Sequence, residues 1–228
     1  MIVRCITHVD YDLVIKLGEK MKSIIEQAGT VQILSKNGTD LRGEMQGRRV
    51  RHSGRKAIEK GQSNMMCGQI SWNCMESTIN GTLVFDGALW PPAEIGLLSA
   101  PVKLTVEKGV VTKVEGGRDA DIFRSWLAGY NDPASYRVAH YSLALTGCDG
   151  AYRKNRGGRK SLWRYRVWYR QPGSGYYGRE MGCANHTDGT ILKPTLIFDG
   201  KVFEENGIYK DEKAREVLPE NESGRILV

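Results

Sequence analysis

Apolar side chains repeat at helical spacing near the start of the chain. Asp10 stands just before this stripe, where its carboxylate can accept a hydrogen bond from a backbone N–H of the first helical turn. Gly29 follows the stripe and favours the end of a helix. We therefore predict one amphipathic helix between these two residues. Its apolar positions are Leu13, Leu17, Met21, Ile24 and Ile25.

From residue 30 onward, short runs rich in β-branched residues replace the helical pattern. Three dipeptides, Asn37-Gly38, Lys108-Gly109 and Asp199-Gly200, separate pairs of such runs. Residues of these types suit tight turns in which the backbone needs a positive φ. The pattern therefore predicts three β-hairpins.

Three further segments complete the predicted fold. Residues 81–87 form another strand-like run, and residues 137–145 read as a buried strand. Residues 120–130 carry apolar side chains at helical spacing and predict a second helix. The expected fold class is α+β: a single β-rich domain over residues 1–228 with a mixed sheet, hairpins and few flanking helices.

Composition narrows the class of protein. Of the 228 residues, 40% are hydrophobic, which is enough to bury a core. The five cysteines include no C-x-x-C pair, so we expect free thiols rather than a disulfide framework or a zinc knuckle. The sequence has no long apolar run and no apolar signal-peptide region at its start. We expect a cytoplasmic protein that does not contact a membrane.

The net charge of +7 is confined to one segment. Residues 147–183 hold nine basic and two acidic side chains, and the rest of the chain is neutral with 24 of each. The segment shows no sustained helical or strand period, so we predict that it is irregular. Because it interleaves Arg, Gly, Tyr and Trp, binding of single-stranded RNA through this basic segment is one alternative function. The neutral remainder argues against nucleic acid as the main partner.

Three residues are candidate metal ligands. If the chain is extended from His186 to Asp188, these two side chains lie on one face, where an imidazole and a carboxylate can bind one metal ion. His140, inside the buried strand, can complete a set of two histidines and one carboxylate, which is typical of non-haem Fe(II). The residues alone leave a second interpretation open, namely a core histidine and a His-Thr-Asp-Gly turn.

Several phrases resemble the C-terminal domain shared by aminopeptidase T-type metallo-exopeptidases and 2,5-dihydroxypyridine 5,6-dioxygenases. Together they span most of the chain outside the basic segment. No glycine-rich phosphate loop and no G-x-S-x-G motif competes with this interpretation. The phrases are THVDY...GTDLRGEMQGR (7–48), MCGQISW...ESTINGTLVFDGALWPP (66–92), GLLSAPVKLTVEKGVVTKVEGG (96–117), DPASYRVAHYSL (132–143) and NHTDGTILKPTLIFDG (185–200).

The resemblance favours the dioxygenase branch. Where aminopeptidase-type members place two glutamate ligands, this chain has Gln69 and His140. The resemblance implies that His140 and Asp188 bind Fe(II), with His186 as third ligand or as acid/base, and that a small dihydroxylated aromatic ring and dioxygen are the reactants. Gln69 and Glu76 are the other candidate catalytic residues, lining the pocket. It also implies a homo-oligomer.

A metallo-aminopeptidase is the other alternative. It would release N-terminal residues from short peptides with two ions, of Zn, Mn or Co, in each chain. The discriminating residue is Gln69, because an amide is a poor substitute for a bridging carboxylate.

The chain departs from the family in two ways. Members carry an N-terminal α/β domain ahead of the THVDY phrase, and we expect that this domain is missing here, which leaves the activity of this fragment in question. In addition, the basic segment replaces a family phrase. Permitted codons for residues 147–184, read one base later, give a phrase similar to the missing one, so we hypothesise two compensating frameshifts.

Overall fold

The computed structural model describes residues 10–53, 60–61, 68–145, 164–169 and 185–218. The first helix, α1, runs from Tyr11 to Ile25. Asp10 caps it as predicted, since its carboxylate accepts a hydrogen bond from the backbone N–H of Leu13 at 3.0 Å. The other helices are α2 (Arg118–Gly129), which confirms the second predicted helix, and the short α3 (Glu212–Arg215).

Fifteen strands occur in the described part of the chain. In chain order they are β1 (Thr30–Leu34), β2 (Asp40–Glu44), β3 (Arg51–Ser53), β4 (Gln69–Trp72), β5 (Asn80–Phe85), β6 (Ala88–Trp90), β7 (Gly96–Leu97), β8 (Val102–Glu107), β9 (Val110–Glu115), β10 (His140–Ala144), β11 (Arg164–Tyr169), β12 (Thr187–Leu192), β13 (Thr195–Phe198), β14 (Lys201–Glu205) and β15 (Ile208–Tyr209).

These strands form two sheets. The eight-stranded first sheet has the order β15-β14-β13-β1-β2-β5-β8-β9, and the seven-stranded second sheet has the order β3-β4-β10-β11-β12-β6-β7. With two sheets and few helices, the predicted α+β class is confirmed. The three predicted hairpins are β1–β2, β8–β9 and β13–β14, and positive φ occurs at Gly38, at Lys108-Gly109 and at Asp199-Gly200.

Two details of the fold differ from the expectation. Every recorded pairing between the named strands is antiparallel, whereas we predicted a mixed sheet. Most neighbours in the first sheet follow one another along the chain through short turns, and a short turn can only join antiparallel strands.

The second difference lies in the basic segment. Residues 164–169 form β11, at the centre of the second sheet, rather than irregular chain. This short run alternates Tyr and Val with Arg and Trp, and aromatic and β-branched residues favour strands, so a local period of two exists inside a segment that lacks a longer one. Residues 147–163 and 170–183 lie outside the described part of the chain, and with them most of the segment tied to RNA binding and to the frameshift.

The two sheets pack face to face. The ring of Trp72 in β4 meets the ring of Phe198 in β13 edge to face, with centroids 5.7 Å apart. Phe85 in β5 lies against Gly189 in β12 so closely that a Cβ at position 189 would come within 2.2 Å of the phenyl ring. Only glycine therefore allows β12 to approach the first sheet this closely, and this contact fixes the strand that carries Asp188.

The remaining elements cover the edges of this sandwich. Helix α1 packs on β3 and β4, where a Cβ at Gly18 would collide with the buried ring of His52. Helix α2 packs on β8 and β9. None of the helices in the described ranges is long and apolar enough to cross a membrane.

Candidate functional site

The second sheet has one apolar and one polar face. In β4, Ile70 and Trp72 point toward the first sheet, whereas Gln69 and Ser71 point away from it, as the period of a strand requires. Paired residues of neighbouring strands share a face, so Ser142 of β10, which pairs with Ser71, also belongs to the polar side. We call this side of the second sheet the polar face.

His140 and Asp188 both belong to the polar face, in a single row across the strands. His140 pairs with position 168 in β11, and position 168 pairs with Asp188 in β12. The row ends at Trp90 in β6, the partner of Asp188, whose indole is exposed. His140 and Asp188 are thus separated by two strand spacings, about 10 Å between backbones.

The side chain of His186 lies next to that of Asp188. Its Nε2 lies 3.5 Å from Oδ1 of Asp188, and 33% and 19% of the two side chains are exposed. The chain is extended here rather than turned, since β12 begins at Thr187, whose hydroxyl donates to the carbonyl of Pro91. The structure therefore brings these two candidate ligands onto one face, in the geometry expected for an extended segment.

Gln69 lies on the polar face, away from the row of His140. Its Nε2 donates to the hydroxyls of Ser142 at 2.9 Å and of Ser71 at 3.1 Å, and these two hydroxyls are 2.8 Å apart. Both serines are buried. Because buried polar groups require partners, this three-residue network ties β4 to β10 and holds the strand that begins with His140.

Glu76 does not lie on the polar face. It begins a 3-10 turn over Glu76–Thr78, and its Oε2 accepts from the guanidinium of Arg48 at 2.6 Å. Its backbone also packs against Gly109 in the β8–β9 turn of the first sheet, where a Cβ would come within 2.2 Å of the carbonyl oxygen of Glu76. The structure thus gives Glu76 an ion pair at the first sheet and does not bring it to His140.

Trp72 and Cys74 lie in the core. Both are fully buried. Burial raises the pKa of the Cys74 thiol to about 12, so the reactive thiolate is absent near neutral pH. Cys74 is a free cysteine, as expected from the absence of C-x-x-C pairs, and it serves as a small apolar side chain.

Asn73 is a polar-face residue that the sequence prediction missed. It follows β4 directly, is fully buried, and neither atom of its carboxamide has a hydrogen-bond partner. A signal was present in the sequence: from position 69 to 74, polar Gln, Ser and Asn alternate with Ile, Trp and Cys. Such alternation marks one polar and one apolar face of a strand.

The donor types on the polar face fit a divalent metal ion. Two imidazoles and one carboxylate are the ligands typical of Fe(II) centres that keep positions open for reactants. His186 and Asp188 are near enough to share an ion, and His140 stands in the same row as Asp188. Within the described residues, no three His, Cys, Asp or Glu side chains are already grouped closely enough to hold an ion. For all three side chains to hold one ion, that of His140 would have to approach the pair.

Solved structures of two proteins share the fold. The 2,5-dihydroxypyridine dioxygenase from Pseudomonas putida KT2440 superposes with a TM-score of 0.72 at 20% identity, over 94% of this chain and 64% of that one. Wild-type AmpT from Thermus thermophilus superposes with a TM-score of 0.65 at 12% identity, over 88% of this chain and 55% of that one. At these identities the comparison shows the fold.

Sequence comparison identifies the family. A curated 2,5-dihydroxypyridine 5,6-dioxygenase from Pseudomonas putida KT2440 is 32% identical over 71 residues, which are 31% of this chain and 20% of that protein. The chain thus spans less than two thirds of each of these relatives. The model of the 2,5-dihydroxypyridine 5,6-dioxygenase family matches residues 4–147, which include Gln69 and His140 and end before His186. Because this match covers more than half of the sequence, the chain belongs to the 2,5-dihydroxypyridine 5,6-dioxygenase family.

Proposed function

We propose that this chain forms the metal-binding part of an enzyme that cleaves the ring of a dihydroxypyridine-like aromatic compound with dioxygen. The observation that carries the proposal is the row on the polar face, where His140 and Asp188 share one side of the second sheet beside His186. Membership of the dioxygenase family and the fold shared with the Pseudomonas putida dioxygenase support it.

His140, His186 and Asp188 would hold the ion, which we propose to be Fe(II). When bound, such an ion supplies redox chemistry and open positions for a ring hydroxyl and for dioxygen. Two packing features hold the strands that carry the proposed ligands: Gly189 seats β12 against Phe85, and the Gln69 network joins β10 to β4. Rigid support of this kind keeps two reactants in one geometry, which is how proximity contributes to rate.

His186 and Gln69 have further proposed roles. His186 can take up a proton from a ring hydroxyl whenever it is not binding the ion, since Oδ1 of Asp188, 3.5 Å from its buried Nε2, would stabilise the imidazolium. Gln69 acts as a positioning residue through Ser142, two residues along β10 from His140. Glu76 has no part in the proposed chemistry because it lies with Arg48 at the first sheet.

The test is anaerobic loading of the full chain with Fe(II), followed by oxygen uptake with 2,5-dihydroxypyridine. We expect one iron per chain, and oxygen consumption coupled to loss of the aromatic absorbance. The same protein loaded with zinc, manganese or cobalt and given short peptides tests for an aminopeptidase. Release of N-terminal residues with two ions per chain, and no oxygen uptake with iron, would overturn the dioxygenase proposal.

A further inference from the structure

Asn73 is the most unusual polar residue on the polar face. Its side chain is fully buried, yet both the amide nitrogen and the carbonyl oxygen lack a hydrogen-bond partner. Buried polar groups are almost always paired, because an unpaired donor or acceptor has lost its hydrogen bonds to water without forming new ones in the protein. An exception of this kind in a native chain calls for a ligand, a water or a functional reason.

The direction of the Asn73 side chain follows from its neighbours. Trp72 contacts Phe198 of the first sheet, and the Sγ of Cys74 would lie 2.7 Å from a Cβ placed on Gly43 in β2. Residues 72 and 74 therefore both point into the core. Since successive side chains of extended chain point to opposite sides, Asn73 points to the polar face.

The position of Asn73 along the sheet places it next to His140. The register between β4 and β10 pairs Trp72 with Tyr141 and Ser71 with Ser142. Continued by one residue, this register sets Asn73 opposite His140, in the row that leads to Asp188. Side chains in such paired positions lie about 5 Å apart at their Cβ atoms. Asn73 then stands on the side of His140 that faces away from Asp188, so a ring bound to an ion between His140 and Asp188 contacts the Asn73 carboxamide when it extends across His140.

We propose that Asn73 is a specificity-determining residue that pairs with the lactam edge of a 2-pyridone ring. In its pyridone form, 2,5-dihydroxypyridine presents a ring N–H donor beside a carbonyl acceptor. The Asn73 carboxamide is the matching group: Oδ1 accepts from the ring N–H, and Nδ2 donates to the ring carbonyl. Both unpaired atoms are then satisfied at once. This inference rests on the proposed function, because it needs an aromatic ring bound at the proposed metal site.

The test compares two ligands that differ in one donor. Full-length protein, kept anaerobic to prevent turnover, is titrated with 5-hydroxy-2-pyridone and with 5-hydroxy-1-methyl-2-pyridone, which lacks the ring N–H. We expect at least about tenfold tighter binding of the unmethylated ring. In the methylated ring the N–H donor is missing, which leaves the buried Oδ1 of Asn73 unpaired. In Asn73→Leu this preference falls to about one. Equal affinities for the two rings on the unaltered chain, no binding of either ring, or a preference that survives in Asn73→Leu would overturn the proposal.

Thermal unfolding provides a second readout. Asn73→Leu is similar in size and removes two unpaired buried groups, so we expect its Tm to rise by a few degrees. The matched control is Thr39→Val in the first sheet, where the buried hydroxyl accepts from the N–H of Val84 at 2.9 Å; its Tm should fall. A lower Tm for Asn73→Leu would mean that the carboxamide is paired in the free protein, against the proposal. Iron binding measured on the same samples tests the proposed function separately.

Discussion

His140 and Asp188 lie in the same row of the second sheet, on its polar face, with one strand between them. Neither residue is close to the other in sequence, and the register of β10 on β11 and of β11 on β12 is what aligns them. The arrangement puts an imidazole and a carboxylate on strands rather than on loops. Sites built on strands hold their ligands more accurately than sites on loops do.

The alignment predicts that the two residues bind one ion together. His140→Ala and Asp188→Asn should each reduce Fe(II) affinity by at least about a hundredfold, because each removes one of three ligands. The double variant should be scarcely weaker than either single variant, since residues that share one partner are not additive. Equilibrium dialysis with iron analysis measures this, with the exposed Glu107→Gln in β8 as the control. Stoichiometric iron in both single variants would show that the site lies elsewhere.

The close contact of Gly189 with Phe85 predicts that a substitution at position 189 changes both the stability of the sandwich and iron binding at the proposed site. Gly189→Ala would push a methyl group into the ring of Phe85, and its neighbour Asp188 would move with β12. We expect a loss of about 1–3 kcal/mol in the free energy of unfolding, typical of overpacking, together with weaker iron binding. Urea denaturation measures the first effect. Gly129→Ala at the end of α2 is the control, since nothing lies within 4 Å of the added methyl there, and it should be neutral or slightly stabilising. Equal stability of the two variants would contradict the close contact.

The Gln69 network predicts different outcomes for two substitutions. Gln69→Leu removes the donor that Ser71 and Ser142 share, and should lower the free energy of unfolding by about 1 kcal/mol or more. Gln69→Glu should lower it less, because both hydroxyls can turn to donate to the carboxylate. Urea denaturation of the two variants compares them. If Gln69→Leu is as stable as the unaltered chain, the amide does not tie β4 to β10.

Local sequence features anticipated the first half of this fold. The stripe after Asp10 and the dipeptides Asn37-Gly38 and Lys108-Gly109 each specify a helix start or a turn within a few residues, and the structure contains them. Such features act between residues that are close in sequence, so the helix start and the turns form independently of how the rest of the chain packs.

The row on the polar face was less accessible from the sequence. It depends on β11, a strand inside a segment that was predicted to be irregular because it has no sustained helical or strand period. Pairing between distant strands is set by packing and register, which single residues do not encode. Asn73 was different, since the alternation around it was visible and pointed to a polar face.

A buried carboxyl far from the polar face sets the last prediction. Glu204 in β14 is fully buried and pairs with Tyr209 in β15. Burial raises the pKa of Glu204 from 4.5 to about 8, and the N–H of Gly207, which donates to Oε1, offsets this only in part. In the unfolded chain the carboxyl returns to its ordinary pKa. The folded state therefore holds a proton that the unfolded state has released between these two pH values.

Stability should accordingly fall as pH rises. Below about pH 4.5 Glu204 is protonated in both the folded and the unfolded state, so it does not change the free energy of unfolding. Between about pH 4.5 and about pH 8 it lowers the free energy of unfolding, by at most about 1.4 kcal/mol per pH unit. Above about pH 8 its contribution is constant. Glu204→Gln should remove this slope and make the protein more stable at pH 8, whereas the exposed neighbour Glu205→Gln should leave the slope intact. Urea denaturation at several pH values measures it. The same slope in Glu204→Gln as in the unaltered chain would mean that another group holds the proton.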